Sequence, residues 1–380
     1  MKQHINTFKT YKTPFFWYDV DLLNRTLQIV KDESEKYGYN VHYAVKANAN
    51  TPILKNMIKF GLGADCVSGN EVTASINAGF KSNTIAFAGV GKSDDEIITG
   101  LKNDIFCFNV ESIPELEVIN EIALKMGKKA RVALRINPNV NANTHHYITT
   151  GLQENKFGIN MWEMEDVLTS LNTLDAIKLI GLHFHIGSQI IDLQDFKGLC
   201  IRVNEIQEWF YARLIIVDHI NVGGGFGIDY ENPDINPIPD FKSYFKVFHD
   251  FLELRPKQEL HFELGRSIVG QCGTLLSKVL YVKNGVQTNF AILDAGMTEL
   301  IRPALYQATH KIANLSSELK EQKYDVVGPI CESSDCFGKA VLLAETKRND
   351  IIAIYSCGAY GEVMASEYNL RTRAKAYYSE

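Results

Sequence analysis

Eight short apolar runs recur between Val41 and Glu263, with enough chain for a helix between most of them, and this alternation restricts the fold more than any single motif. The runs are Val41–Val45, Ala64–Val67, Thr84–Ala88, Ile105–Phe108, Arg131–Ile136, Ile180–Ile186, His219–Val222 and Glu259–Glu263. Segments such as Ser112–Met126 and Met161–Leu174 lie between them with helical spacing, as Asp21–Tyr37 does ahead of the first. Parallel strands need a crossover of a dozen or more residues, usually a helix. Eight such units over about 220 residues predict an α/β fold, a closed (β/α)8 barrel of TIM type rather than an open sheet.

After Gly270 the pattern changes. Strand-like runs follow one another at Lys278–Val282, Phe290–Leu293, Asp325–Val327, Ala340–Ala344 and Ile351–Tyr355, interrupted by one helical segment near Ile301–Leu315. The expectation is a barrel over residues 17–270 and a mostly antiparallel β domain over 271–380, with residues 1–16 joining the second. A chain of 380 residues is long enough for both cores. Its net charge of -6 and lack of a basic run argue against nucleic acid as a partner. No apolar run reaches membrane-spanning length, and the first residues lack the apolar core of a signal peptide. Seven cysteines without repeated CxxC spacing fit a reducing, cytoplasmic setting.

The strand ends carry the chemistry. They are Lys46, Asp65, Gly89, Asn109, Arg135, His185, Gly223–Gly225 and Glu263, and in a barrel all of these fall on the rim where active sites are built. Taken alone, Lys46 has an ordinary explanation, since a lysine at a strand end can snorkel to solvent. An amine, acids, a histidine and a glycine cluster on one rim are harder to dismiss. The loop Asn221-Val-Gly-Gly-Gly-Phe-Gly-Ile228 fails the dinucleotide spacing and lacks the lysine of a nucleotide P-loop, but its bare N–H groups suit a phosphate. Gly224, Gly225 and the hydroxyl of Ser188 form the expected cradle.

A lysine and a phosphate cradle on one rim point to pyridoxal phosphate held on Lys46 as a Schiff base. Its ring nitrogen needs a carboxylate, which Glu263 offers, and its ring needs a stacking face, which His185 offers. The pair His183/His185 has the spacing of metal ligands, but no third ligand is evident and no metal is expected.

With these residues in place, the chain resembles the fold-type III pyridoxal-phosphate-dependent amino-acid decarboxylases, and among them the diaminopimelate decarboxylase family. The resemblance runs from Pro14 to Arg373 through Tyr43-Ala-Val-Lys-Ala-Asn48, Gly63-Ala-Asp-Cys-Val-Ser-Gly69, His183-Phe-His-Ile-Gly-Ser-Gln189, Gly223-Gly-Gly-Phe-Gly227 and Glu263-Leu-Gly-Arg-Ser267. It continues through Asp294-Ala-Gly-Met297, Arg302-Pro-Ala-Leu-Tyr306, Cys331-Glu-Ser-Ser-Asp335 and Gly358-Ala-Tyr-Gly361. It implies a homodimer with shared active sites and no further macromolecular partner. Lys46 would anchor the cofactor, Glu263 face the ring nitrogen and His185 stack on the ring. Ser188, Gly225, the Gly265-Arg266 backbone and Tyr360 would reach the phosphate, and Cys331 of a second copy would return a proton to the substrate. Arg266, Arg302, Tyr306, Glu332 and Tyr360 stand at substrate positions, and the loop Thr144–Gly158 resembles a segment that closes over diaminopimelate.

The implied reaction is decarboxylation of meso-2,6-diaminopimelate to L-lysine and carbon dioxide. Two alternatives stay open: a decarboxylase of ornithine, lysine, arginine or a spermidine precursor such as carboxynorspermidine, and a non-catalytic binding relative. Leu264 stands where the family has proline, and Ser333-Ser334 replaces the commoner Thr-Gly, which bears on fine specificity more than on cofactor use.

Overall fold

The structure, a computed structural model, describes residues 1–140 and 156–379. The chain divides into two compact units, one of Leu27–Gly227 with Asp240–Gly265, the other of Met1–Thr26, Ile228–Pro239 and Arg266–Glu380. In the first, eight parallel strands close into a barrel: β2 (Asn40–Ala44), β3 (Gly63–Cys66), β4 (Ile85–Phe87), β5 (Cys107–Val110), β6 (Ala130–Arg135), β7 (Ile177–His183), β8 (His219–Asn221) and β9 (Glu259–Leu264). Closure is made at β2, where His42 stands opposite Gly63 on one side and Glu263 on the other. The strand β1 (Phe15–Tyr18) lies outside the barrel.

One crossover shows why the intervening segments are helices. In Ile113–Lys125, Ser112 caps the first turn by accepting from the Glu115 N–H at 3.3 Å, and Pro114 sits at the helix start where no N–H is needed. Leu116, Ile119, Ile122 and Ala123 form the buried stripe, and the larger ones are each worth roughly 1.5–3 kcal/mol of burial. Gly127, with φ of +63°, ends the turn in a conformation that favours glycine.

The N-terminal end of the barrel is filled by an unusual plug. His42, His219 and His261 pack with Phe106, and the His261 Nδ1–H donates to His42 Nε2 at 2.8 Å while the His42 Nδ1–H donates to the Thr84 carbonyl at 3.1 Å. Gly181 makes room for the plug, because a Cβ there would lie 2.2 Å from the His219 ring. Burial holds all three imidazoles below their ordinary range, His219 to about 3.

In the second unit, β1 pairs antiparallel with β10 (Gly273–Asn284) and parallel with β16 (Lys375–Tyr378). The other strands are β11 (Asn289–Leu293), β12 (Ile312–Asn314), β13 (Glu321–Val327), β14 (Cys336–Ala344) and β15 (Ile351–Ile354), in the order β12-β15-β10-β11-β13-β14. All pairs are antiparallel except β1–β16 and β11–β13. The helix expected near Ile301–Leu315 is shorter: it covers Arg302–Tyr306 and stops at Gln307, whose φ is 54°. Beyond it His310, Ile312 and Asn314 are buried at every second residue, the period of a strand, and β12 pairs with β15. No helix among the described residues is long and apolar enough to cross a membrane.

The histidine plug makes stability depend on pH with a definite sign. Between the ordinary value of 6.5 and about 3, unfolded chains bind a proton at His219 that the folded barrel excludes, so the stability is complete above pH 6.5 and is lost as pH falls. The unfolding free energy of a His219→Gln variant, from urea titrations, is expected to decline less steeply between pH 6.5 and 4, by up to ~1.4 kcal/mol per pH unit. Parallel declines for variant and wild type would rule this out.

Candidate active site

The barrel brings its strand-end residues to one rim around a cavity of about 460 Å³, lined by Lys46, Gly89, Arg135, His183, His185 and Glu263 among others. Lys46 sits on a single 3-10 turn, Val45–Ala47, that follows β2. Its Nζ donates to Asp65 Oδ2 at 3.0 Å, from a lysine side chain 37% exposed to a carboxylate that is fully buried. Burial pushes the Asp65 carboxyl up, repulsion from Glu263 adds to this, and Lys46 opposes both; the net direction is upward.

Glu263 is the electrostatic centre of the rim. Its Oε1 accepts from Asn109 Nδ2 at 3.0 Å and Asn221 Nδ2 at 2.8 Å, and its Oε2 accepts from His183 Nε2 at 3.0 Å. Burial, the largest single influence, raises its carboxyl, but His183, Lys46 and His185 together outweigh it, so the net direction is downward. Hydrogen bonds to a charged group are worth roughly 1.5–3 kcal/mol each, so three of them offset a desolvation cost of several kcal/mol. His183, read from sequence only as half of an apparent metal pair, is therefore a partner of Glu263. His185 lies at the cavity wall as a neutral ring, since burial and then Arg135 and Lys46 hold it well below its ordinary range.

The glycine loop after β8 packs too closely for side chains. A Cβ on Gly224 would lie 1.9 Å from the Glu263 carbonyl oxygen, and one on Gly223 would lie 2.4 Å from that of Phe184. The Gly224 N–H donates to His185 Nδ1 over a long 3.5 Å, and the Gly223 N–H to Asn221 Oδ1 at 2.9 Å. Gly265 is constrained similarly by Ala44 and Ala47, at 3.1 and 3.0 Å from a would-be Cβ. Ser188 is half-buried in the segment after β7.

Sequence reasoning missed Glu111. Its Oε1 accepts from Arg135 at 2.9 Å and from the Gly89 N–H at 3.1 Å, and its Oε2 accepts from the Gly158 N–H at 3.1 Å. Its signal was available, two residues beyond Asn109 at a strand end. Arg135, so fixed, lies with its guanidinium 4.8 Å from the Phe157 ring centre. Of the expected closing loop Thr144–Gly158, residues 144–155 lie outside the described residues.

The remaining expected residues belong to the sheet unit, where they form two groups. Arg266, Arg302 and Tyr360 gather with Tyr230, which sequence reasoning also missed. Arg266 donates to the Tyr230 hydroxyl at 2.6 Å, Arg302 lies 5.1 Å from the Tyr230 ring centre, and Arg266 lies 4.9 Å from that of Tyr360. His310 closes the group edge-on to Tyr230 at 4.9 Å. Tyr306 ends the short helix that Arg302 begins. Cys331 and Glu332 are exposed on a separate loop, anchored by buried Asp335, which accepts from the N–H groups of Met297 at 2.6 Å and Ile330 at 2.7 Å.

Residues 21–270 match the family described as "Pyridoxal-dependent decarboxylase, pyridoxal binding domain". The chain is 60% identical to the diaminopimelate decarboxylase of Bacteroides thetaiotaomicron over 377 residues, covering 99% of this chain and 98% of that one. The chain belongs to the diaminopimelate decarboxylase family of pyridoxal-dependent decarboxylases. The crystal structure of the Helicobacter pylori family member complexed with L-lysine is 40% identical, with a TM-score of 0.93 over 99% of this chain and 94% of that one. An arginine decarboxylase from Paramecium bursaria Chlorella virus shares the fold, with a TM-score of 0.88 at 20% identity over 100% of both chains. Fold alone therefore leaves the substrate open.

The rim fits the pyridoxal phosphate of this family on its own geometry. The cavity has the volume of a small-ligand site. A carboxylate accepts about four hydrogen bonds, and three positions on Glu263 are filled, which leaves one on Oε2 for a ring N–H. Bare backbone at Gly223–Gly225 suits a phosphate. In a family member so built, Gly224→Ala is expected to raise the dissociation constant for pyridoxal phosphate at least ~10-fold, about 1.4 kcal/mol, with unchanged circular dichroism. Wild-type affinity in this variant would remove the loop from the site.

Proposed function

We propose that this chain decarboxylates meso-2,6-diaminopimelate to L-lysine and carbon dioxide, the last step of lysine biosynthesis, as a cytoplasmic homodimer. The observation that carries the substrate is Arg302. The residue is 5% exposed, its guanidinium packs against Tyr230, and among the described residues that guanidinium has neither a carboxylate nor a hydrogen-bond partner. Burying an unpaired cation costs several kcal/mol, and a guanidinium fork matches a carboxylate through two parallel bonds. Diaminopimelate carries a second carboxylate far from its reacting carbon; lysine and ornithine do not. The full-length identity with the Bacteroides enzyme and the L-lysine held by the Helicobacter protein support the same substrate and product.

Pyridoxal phosphate, when bound, supplies the electron sink that accepts the pair left by departing carbon dioxide. The rest is done by side chains. Lys46 anchors the cofactor, and Asp65, whose buried carboxyl takes a proton more readily than usual, holds the lysine ammonium and can relieve it of a proton at Nζ. Glu263 Oε2 receives the ring N–H, and neutral His185 covers a ring face. Ser188, Gly224, Gly225, the backbone of Gly265 and Arg266, and the Tyr360 hydroxyl hold the phosphate. Arg302 and Tyr306, with Arg266 and Tyr360, hold the distal carboxylate, and Glu332 holds the distal ammonium. Cys331 of a second copy gives its Sγ proton to the carbon that lost carbon dioxide.

Carbon dioxide release from meso-diaminopimelate, ornithine, lysine and arginine tests the substrate. The expected order puts diaminopimelate first by at least ~100-fold in kcat/KM; faster turnover of ornithine or lysine would overturn the assignment. Arg302→Ala should lose ~2 kcal/mol or more of kcat/KM, mainly through KM. Cys331→Ala should lower kcat or scramble the configuration at the protonated carbon, with KM little changed.

A further inference from the structure

Asn221, the last residue of β8, is fully buried and its amide orientation is fixed by chemistry. The backbone N–H of Gly223 can only donate, and it lies 2.9 Å from Asn221 Oδ1. The opposite edge of the amide, Nδ2, therefore faces Glu263 Oε1 at 2.8 Å. A single planar group spans from the first N–H of the glycine loop to the carboxylate on the neighbouring strand.

Asn109 brings a second Nδ2 to the same Oε1, at 3.0 Å, from β5. Two amide donors fill that oxygen, and neither can receive a hydrogen bond at its Nδ2. A proton placed on Oε1 would meet two N–H groups head-on. A protonated Glu263 could carry its proton only on Oε2, at the position left open beside the His183 N–H at 3.0 Å, the position a ring N–H would otherwise use. The groups that act on Glu263 are Lys46, His183, His185, His42, His219, His261, Cys107 and Asp65; of these Asp65 and Cys107 are negative when ionised, and burial pushes the Cys107 thiol up so that it stays neutral, which leaves the repulsion to Asp65. That repulsion favours protonating Glu263, and the two amide donors on Oε1 oppose it.

We infer that Asn221 is a positioning residue that, with Asn109, keeps Glu263 an ionised acceptor with one open position on Oε2 and ties that acceptor to the glycine loop. The cofactor's ring nitrogen and phosphate are the two groups so registered, which rests on the proposed function; the ionisation of Glu263 does not. An ionised acceptor keeps the ring N–H in place, and the ring is an electron sink only with that proton. Loss of the Asn221 donor lets the proton settle on Glu263 instead.

The test needs no turnover. In full-length protein labelled with glutamate carrying 13C at the side-chain carboxyl, the Glu263 signal, assigned with Glu263→Gln, is followed over pH. The wild-type signal is expected to be that of a carboxylate throughout pH 5–9. Asn221→Asp keeps an acceptor for the Gly223 N–H but sets a second carboxylate against Oε1, and should bring a Glu263 titration into that range, a shift of at least ~2 pH units. Asn221→Ser, which adds no charge, should raise it by at least ~1 unit. In the pyridoxal-phosphate-loaded enzyme, both should lower kcat ~10-fold or more with KM within ~3-fold, and shift the pH profile of the visible absorption. A wild-type Glu263 that titrates within pH 5–9, or a carboxylate unmoved in folded Asn221 variants, overturns the inference. Failure of the chain to bind pyridoxal phosphate would count against the proposed function and leave the carboxylate result standing.

Discussion

The carboxylate of Glu263 is the constraint around which the barrel rim is arranged. It belongs to β9 and accepts from Asn109 on β5, His183 on β7 and Asn221 on β8. Each donor is itself buried, so none can be withdrawn without leaving a charge unpaired in a dry interior. Strand ends that would otherwise drift are thereby tied to one point. The nearby Lys46–Asp65 pair depends on the same balance, because the two buried acids repel each other and Lys46 offsets both.

Chemical roles on the rim are divided by environment. Asp65 and Glu263 are both buried carboxylates, yet one is pushed toward protonation and the other away from it, because Asp65 has one donor and Glu263 three. The two histidines of the rim also differ in their partners. His183 donates into a carboxylate, whereas His185, beside Arg135 and Lys46, is held neutral. At the opposite end of the barrel His42, His219 and His261 serve packing, and Gly181 exists to admit one of them.

Much of this was legible in the chain. The eight strands fall within a few residues of the apolar runs, because parallel barrel strands are buried on both sides and so read as short continuous hydrophobic stretches. Lys46, His185, Gly224 and Glu263 were expected on one rim because a strand end in a barrel has a known destination, and the structure places them there. Other features were hidden for physical reasons. Tyr230 acts through a contact with a residue distant in sequence and nothing in its neighbours marks it, whereas Glu111 stood at a strand end but its partner Arg135 comes from another strand. The segment after Arg302 was read as a long helix because its apolar residues suit either period, and the left-handed Gln307 that stops the helix carries no glycine or proline signal.

The amino-acid sequence by itself determined the fold class, the family and which residues stand at the strand ends, since each depends on residue type and order along the chain. The tertiary structure decided which groups are charged and which way they point. Whether His183 is a ligand, a filler or a hydrogen-bond donor cannot be read from its spacing to His185; it is settled by what lies 3.0 Å from its Nε2. The ionisation of Glu263 and the orientation of the Asn221 amide are likewise set by partners from other strands, because burial and hydrogen bonding are properties of the assembled barrel.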